Sequence, residues 1–432
     1  MKTSELIDSA PLIDISPSTV EEKNEVDLDD RIFQEPTEED SSLFGAFQIL
    51  MNTAIGSGTL LIPFCYKLGI IFAILMSVII GLISLGSFCM MMDAAYITKR
   101  YDFRGLWNQL FNKKLIFILD VIIFLVQIGS CMIYCHWVGL LVNRTLGIKV
   151  KVLNTDIFWN WATTLLLAFP MTIPRSIAKL ETFASFGTVL IIVLISHALY
   201  WLIKDVKAKG FDPNHEIRWF HWDLSVFIPA LGVNSMSYNC ILNLFPTLEH
   251  LRNPTVRRGR YLAIINVCAC FVAYAMFGIF TYLDKFNELK ASSALELYPP
   301  SNPFTIIATI CVCYILLLSE PLVIWAARTS VDATLFKDKE MTRLRWILTG
   351  LILIAISAGL ASTSDNILIF FNIVGGLLIP VVTLLMPSLY FLKATPGRKW
   401  YRTVQAGYTI AFTIIAAVAS TWQTVEEIIG KK

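Results

Sequence analysis

From residue 43 to residue 423 the chain is a succession of long apolar runs separated by short polar stretches. A hydrocarbon layer roughly 30 Å thick is crossed by about 20 apolar residues in a helix. In lipid every backbone N–H and C=O has to be paired internally, which makes helices the default. The pattern therefore predicts an all-α integral membrane protein with eleven transmembrane helices, over 44–66, 69–97, 115–142, 157–173, 183–203, 224–246, 260–282, 304–327, 344–362, 366–392 and 401–423. The fourth is short and the second and tenth are long, deviations that tilt absorbs. Composition agrees: 56% of the 432 residues are hydrophobic and 16% charged, more apolar surface than a soluble domain can hide.

Residues 1–42 have a different character, with thirteen Asp and Glu against three Lys and Arg among the first forty. They contain no apolar signal-peptide core and read as an acidic, disordered cytoplasmic tail. Lys and Arg set the orientation. With the N-terminus in the cytoplasm, the loops on that side hold twenty and the opposite side twelve. The transporter domain is then 43–423, and 424–432 form a short non-cytoplasmic end.

Two spans are interrupted. The first carries Asn52, then Gly56-Ser57-Gly58, then Pro63. Glycine weakens a helix, and proline removes an N–H and clashes one turn back. A break at mid-depth exposes N–H groups at the start of the second half, which suit a carboxylate, and carbonyls at the end of the first, which suit an ammonium group or a cation. Close packing through small residues explains Gly56 and Gly58 but not Asn52, Ser57 and Pro63 beside them. The sixth span reads Val233-Asn234-Ser235-Met236-Ser237-Tyr238-Asn239, polar where polarity is costly unless it faces protein or a cavity. Interhelical hydrogen bonding is the other explanation for that run. The two interruptions lie five helices apart, the spacing expected of an inverted repeat with a midplane site at its interface. The eighth span adds Ser319 and Glu320. Glu320 is open to three roles: binding a cation with Ser319, carrying a proton, or serving as a buried structural carboxyl.

Other chemistry is sparse. The nine cysteines all fall inside spans, so no disulfide framework is implied, and Cys131, Cys135, Cys311 and Cys313 read as packing residues. The five histidines are scattered, with His136 and His197 inside spans. No hydrolase, zinc-protease or nucleotide-binding motif is present, so an enzyme has no positive support, and no cofactor or nucleic-acid partner is expected. Asn143-Arg144-Thr145 fits a glycosylation sequon, but it lies against the end of a span. Asp8 to Ile13 fits an acidic dileucine sorting pattern. It points to endosome, lysosome or vacuole as an alternative to the plasma membrane, and to sorting or signalling proteins as partners of the tail.

These residues carry a resemblance. Asn52-x-x-x-Gly56-Ser57-Gly58-x-Leu60-x-x-Pro63, Pro174-Arg175-Ser176 through Gly187, Pro321 through Arg328 and Ser330, and Phe371 through Gly376 with Pro387-Ser388-Leu389 follow one another in order. Together they resemble the amino acid/auxin permease family, especially its sodium-coupled neutral amino acid transporter branch, over about 40–425. The resemblance implies a leucine-transporter-type fold: a 5+5 inverted repeat plus one helix, with helices one and six broken. It implies an amino acid, probed through its carboxylate by Gly56, Ser57 and Gly58 and through its ammonium near Asn52 and Val233, Asn234, Ser235, Ser237 and Tyr238. A sodium ion would lie between Asn52 and Ser319. Glu320 stands where the family usually has an apolar residue, which leaves Na+ or H+ open as coupling ion, and the family's external-loop cysteines are missing. The expected function is cation-coupled symport of amino acids by alternating access. An amino acid sensor using the same site with the tail as effector segment, and a channel, are the alternatives.

Overall fold

The computed structural model describes residues 30, 41–56, 58–147, 154–175, 181–210, 217–290, 292–336, 341–363 and 366–430. Among them the regular structure is helical, with one isolated bridge between Ser41 and Leu251. The helices are α1 Leu43–Ala54, α2 Gly58–Cys65, α3 Ile70–Thr98, α4 Phe103–Leu110, α5 Ile116–Leu146, α6 Asp156–Thr163, α7 Phe169–Met171, α8 Glu181–Lys209, α9 Leu224–Ser237, α10 Leu244–Glu249, α11 Val256–Lys285, α12 Pro303–Leu335, α13 Arg343–Ala361, α14 Ile367–Phe370, α15 Met386–Ala394 and α16 Trp400–Ile429.

Eight helical segments among the described residues are long and apolar enough to cross a membrane: α3, α5 with its leading turn, most of α8, α11, α12, α13, the run Ile367–Ala394, and α16. The bent pair α1 and α2 makes a ninth. The expected total of eleven needs two further crossings, 156–171 and 224–249, which are shorter or interrupted. Leu82, Leu166 and Ile415 are among many large apolar side chains turned outward, as a lipid-facing surface requires.

Local sequence sets the helix starts. Ser42, Thr255 and Thr342 each accept a hydrogen bond from the backbone N–H three residues on, and Asn302 caps α12 ahead of Pro303. Several boundaries differ from the sequence expectation. α12 continues to Leu335, carrying Arg328 inside the helix, where its guanidinium stacks 3.8 Å from the Trp346 ring and donates to the Thr172 carbonyl at 3.1 Å. That aromatic face and carbonyl let a cation lie buried without the acidic partner a loop reading would seek. α16 runs to Ile429, so most of 424–432 is helix rather than a separate end. The 98–114 connection contains α4, whose Phe103, Leu106 and Trp107 share one buried face. The acidic tail, including Asp8 to Ile13, lies outside the described residues apart from Asp30, Ser41 and Ser42.

Buried charges tie helices together at their ends. Asp93 on α3 meets Arg260 of α11 at 2.5 Å and pairs also with Arg402 of α16. Asp120 on α5 meets Arg104 of α4 at 3.1 Å and accepts from Thr334 of α12 at 2.8 Å. His197 lies within 3.1 Å of the Thr305 hydroxyl, joining α8 to α12, a structural use of an intramembrane histidine. The amide of Asn143 donates to Asp156 at 2.7 Å, so the sequon is held between α5 and α6.

The run from α14 to α15 is interrupted by two π-helical stretches, Phe371–Leu378 and Val381–Leu385. The first packs on α9 backbone to backbone. A Cβ added at Gly375 would stand 2.5 Å from the Gly232 carbonyl oxygen, so only glycine permits this approach. Wide turns of this kind often mark functional segments.

Candidate functional site

The first break falls where glycine and proline place it. α1 ends at Ala54, Ile55 caps it by donating to Met51 at 2.8 Å, and α2 starts at Gly58 with its axis turned by 63°. Ser57 lies outside the described residues. The second break comes later than the polar run suggested. α9 remains helical through Ser237, and the chain departs only over Tyr238 to Cys240 before a short turn leads into α10. Asn234, Ser235 and Ser237 therefore belong to the last turns of α9, where side chains can bond back to carbonyls one turn earlier. Asn234 does so to Ala230 at 2.9 Å and Ser237 to Val233 at 2.7 Å.

The two breaks abut. A Cβ on Gly58 would overlap Ser237 Oγ and stand 3.2 Å from the Cα and N of Ser237. Tyr274 of α11 reaches into this junction, its hydroxyl 3.0 Å from the Ala54 carbonyl and 2.6 Å from the Ser237 carbonyl. These are the final residues of α1 and α9, so one hydroxyl faces the negative ends of both half-helices. It has a single proton and cannot donate fully to both. Tyr134 of α5 closes the other side, where a Cβ on Gly56 would stand 3.0 Å from its hydroxyl. Tyr134 and Tyr274 did not stand out in the sequence, because a tyrosine in an apolar run reads as core. The arrangement sets the N-terminal end of α2, which suits an anion, beside the carbonyl ends of α1 and α9, which suit a cation.

The remaining candidates divide. The Asn52 side chain lies against Gly187 of α8, where a Cβ would overlap its Oδ1, and both its amide atoms are buried without a hydrogen-bond partner among the described residues. Ser319 Oγ stands 3.5 Å from the Asn52 carbonyl and donates to Ile315 at 2.9 Å, so these two residues share one locus between α1 and α12. Glu320, the next residue, points elsewhere, with its fully buried carboxylate beside Cys131 and Cys135 of α5. Consecutive helical residues diverge by about 100°, which separates Ser319 from Glu320. Tyr238 turns its hydroxyl to Ser77 of α3 at 2.9 Å and its ring edge to Tyr274, bracing the junction rather than facing into it. Val233 is fully buried, and Ser235 Oγ is buried without a partner among the described residues.

A cavity of about 960 Å³ opens above the junction, between α2, α9, α16 and residues 289–290. Phe64, Lys67, Asp223, Ile228 and Trp422 line it, and none of 52–58 or 233–238 does. At its rim, hydrogen bonds from Ser225 hold the Asp223 carboxyl below the ordinary carboxylate range.

The family described as transmembrane amino acid transporter protein matches residues 39–426. The chain belongs to this family, the amino acid/auxin permeases. It is 25% identical over 387 residues to vacuolar amino acid transporter 3 of Schizosaccharomyces pombe, covering 85% of this chain and 57% of that one. It is 24% identical over 321 residues to solute carrier family 38 member 10 of Mus musculus, covering 69% of this chain and 28% of that one. The chain thus spans between about a quarter and three fifths of the length of these relatives. Among solved structures, a manganese transporter of Eremococcus coleocola superposes with a TM-score of 0.61 at 14% identity, over 94% of this chain and 92% of that chain. That similarity concerns the fold alone. As a member of the permease family, the chain is a membrane protein of a transporter family rather than an enzyme.

Proposed function

We propose that this permease is a secondary active transporter of amino acids, driven by a cation gradient and working by alternating access. The observation that carries the reading is the Tyr274 hydroxyl between the terminal carbonyls of α1 and α9, at 3.0 and 2.6 Å, beside the first N–H groups of α2. An α-carboxylate fits the N–H end around Gly56, Ser57 and Gly58, and an α-ammonium, with three donors, fits the carbonyls of Ala54 and Ser237. The substrate would be neutral, since among the described residues the junction holds no charged side chain to match a charged one. In this reading the chain crosses the membrane eleven times, with α1–α2 and α9–α10 in corresponding places of two inverted halves. Asn52 and Ser319 would hold a sodium ion if sodium drives transport, and Glu320 would carry the proton if protons do. The N-terminus would be cytoplasmic, in the plasma membrane or an endosomal, lysosomal or vacuolar one.

The test is uptake by the purified protein in liposomes across the twenty amino acids, with sodium and pH gradients imposed separately. One gradient is expected to drive accumulation above the external concentration. Binding without flux under either gradient would overturn transport. It would favour a sensor, a reading supported by tail contacts such as Ser41 with His250 at 2.9 Å and Asp30 with Tyr96 at 2.8 Å. Unitary currents would point to a channel.

Tyr274→Phe gives a second check. The free protein loses the donor shared by two buried carbonyls, at a cost of about 1–2 kcal/mol. An ammonium group then meets a Ser237 carbonyl without its hydroxyl donor and an Ala54 carbonyl that keeps the Gly56 N–H at 2.9 Å. The expected outcome is a lower melting temperature without substrate and a larger substrate-induced rise than in the wild type. An unchanged rise would place the ammonium elsewhere.

A further inference from the structure

Cys131, Cys135 and Glu320 form a cluster outside the proposed amino acid site. Four residues separate the cysteines on α5, which puts both thiols on one helical face. α12 packs against α5 and brings Glu320 to that face. The two Sγ atoms and one carboxylate oxygen all lie within 4.8 Å of one another, and all three residues are fully buried. Neither oxygen of Glu320 has a hydrogen-bond partner among the described residues. The Thr164 hydroxyl stands beside the Cys135 thiol. Sequence spacing alone did not point to a metal, because the third group comes from a helix nearly 190 residues away.

We propose that these three side chains bind a thiophilic divalent cation of the zinc type through two thiolates and one carboxylate. Zn–S bonds of about 2.3 Å and Zn–O bonds of about 2.0 Å give ligand separations of roughly 3.5–3.8 Å. The observed triangle, within 4.8 Å, is of that order. Thiolates select borderline and soft cations and are poor ligands for sodium, magnesium or calcium. The Thr164 hydroxyl or a water molecule completes a tetrahedron. On binding, the thiol protons leave and the ion meets the negative charge that burial otherwise disfavours. A bound ion would fasten α5 to α12 next to Tyr134, whose hydroxyl faces Gly56 in the first break. The assignment does not rest on the amino acid reading, because metal binding is measured without substrate or gradient.

The experiment is a Co2+ titration of the purified full-length chain in detergent. Expected are a near-ultraviolet thiolate-to-cobalt charge-transfer band and intense visible bands of tetrahedral cobalt. C131S and C135S should each abolish the charge-transfer band or weaken binding by about tenfold or more. E320Q should keep sulfur bands and bind more weakly, and C268S, at an exposed cysteine, should leave the spectrum unchanged. A monodisperse wild-type protein without the band, or bands of unchanged intensity and affinity in both C131S and C135S, would overturn the site. If those variants fail to fold, X-ray absorption of the zinc-loaded wild-type protein decides: two sulfur ligands per zinc support the assignment, and any other number overturns it.

Discussion

Replacing Gly58 with valine is expected to abolish amino acid uptake while the protein still reaches the membrane at normal abundance. Gly58 begins α2 against the last turn of α9. The added Cβ would meet the Ser237 backbone at 3.2 Å as well as its side chain, and backbone cannot rotate away. Overpacking of this kind costs about 1–3 kcal/mol, and each 1.4 kcal/mol is about tenfold in rate. The strain falls on the geometry of both half-helix ends. Gly58→Ala should lower uptake by about tenfold to a hundredfold. Adding Ser237→Ala should recover part of that loss, because it removes the Oγ clash and leaves the backbone one. Gly56→Val should be as damaging for a different reason, since its side chain would enter the space of the Tyr134 ring. The measurement is labelled substrate uptake normalised to protein in the membrane. Wild-type flux in Gly58→Val would sink the assignment of the site to this junction.

The second large effect concerns coupling. If transport is proton-driven, Glu320→Gln should, in protein freed of metal so that the carboxyl can titrate, erase the response of uptake to an imposed pH gradient while exchange of substrate at equal pH survives. Glutamine keeps the size and polarity of the side chain but can neither take up nor release a proton. Among the described residues Glu320 has no cationic partner, and its nearest polar neighbours are two thiols, which are weak donors. It is therefore free of the ion pairs that would fix its charge in one state. An unchanged pH response in the variant would remove Glu320 from the coupling path. It would shift attention to Asn52 and Ser319, whose shared locus on α1 and α12 is separate from it.

Much of this was written in the pattern of residues, and the parts that were not have physical reasons. The first break was legible because Gly56, Gly58 and Pro63 act through backbone conformation, a local property. The second was located a few residues early. Polar residues in a span signal cost, not chain direction, and Asn234 and Ser237 meet that cost by bonding back within an intact helix. Asp93 and Asp120 fell under the same rule that singled out Glu320, but they lie near helix ends and are matched by arginines on other helices. The π-helical stretches left no trace, since wide turns answer to neighbouring helices rather than to propensity. Tyr274 was invisible for a related reason: its role is set by where α11 lies beside two helix ends, and nothing local to the residue says so.

The contact between Gly232 and Gly375 has a consequence for movement. Most helix interfaces are interlocked, so that sliding one past another requires many side chains to leave their wells together. Here two backbones touch with no side chain between them. Such a joint has little to disengage and resists displacement mainly through weak, short-range attraction. If α9 shifts in transport, this point has no side chain to unlock, and the helix would slide there against the α14–α15 run while the charged ties at the helix ends stay closed.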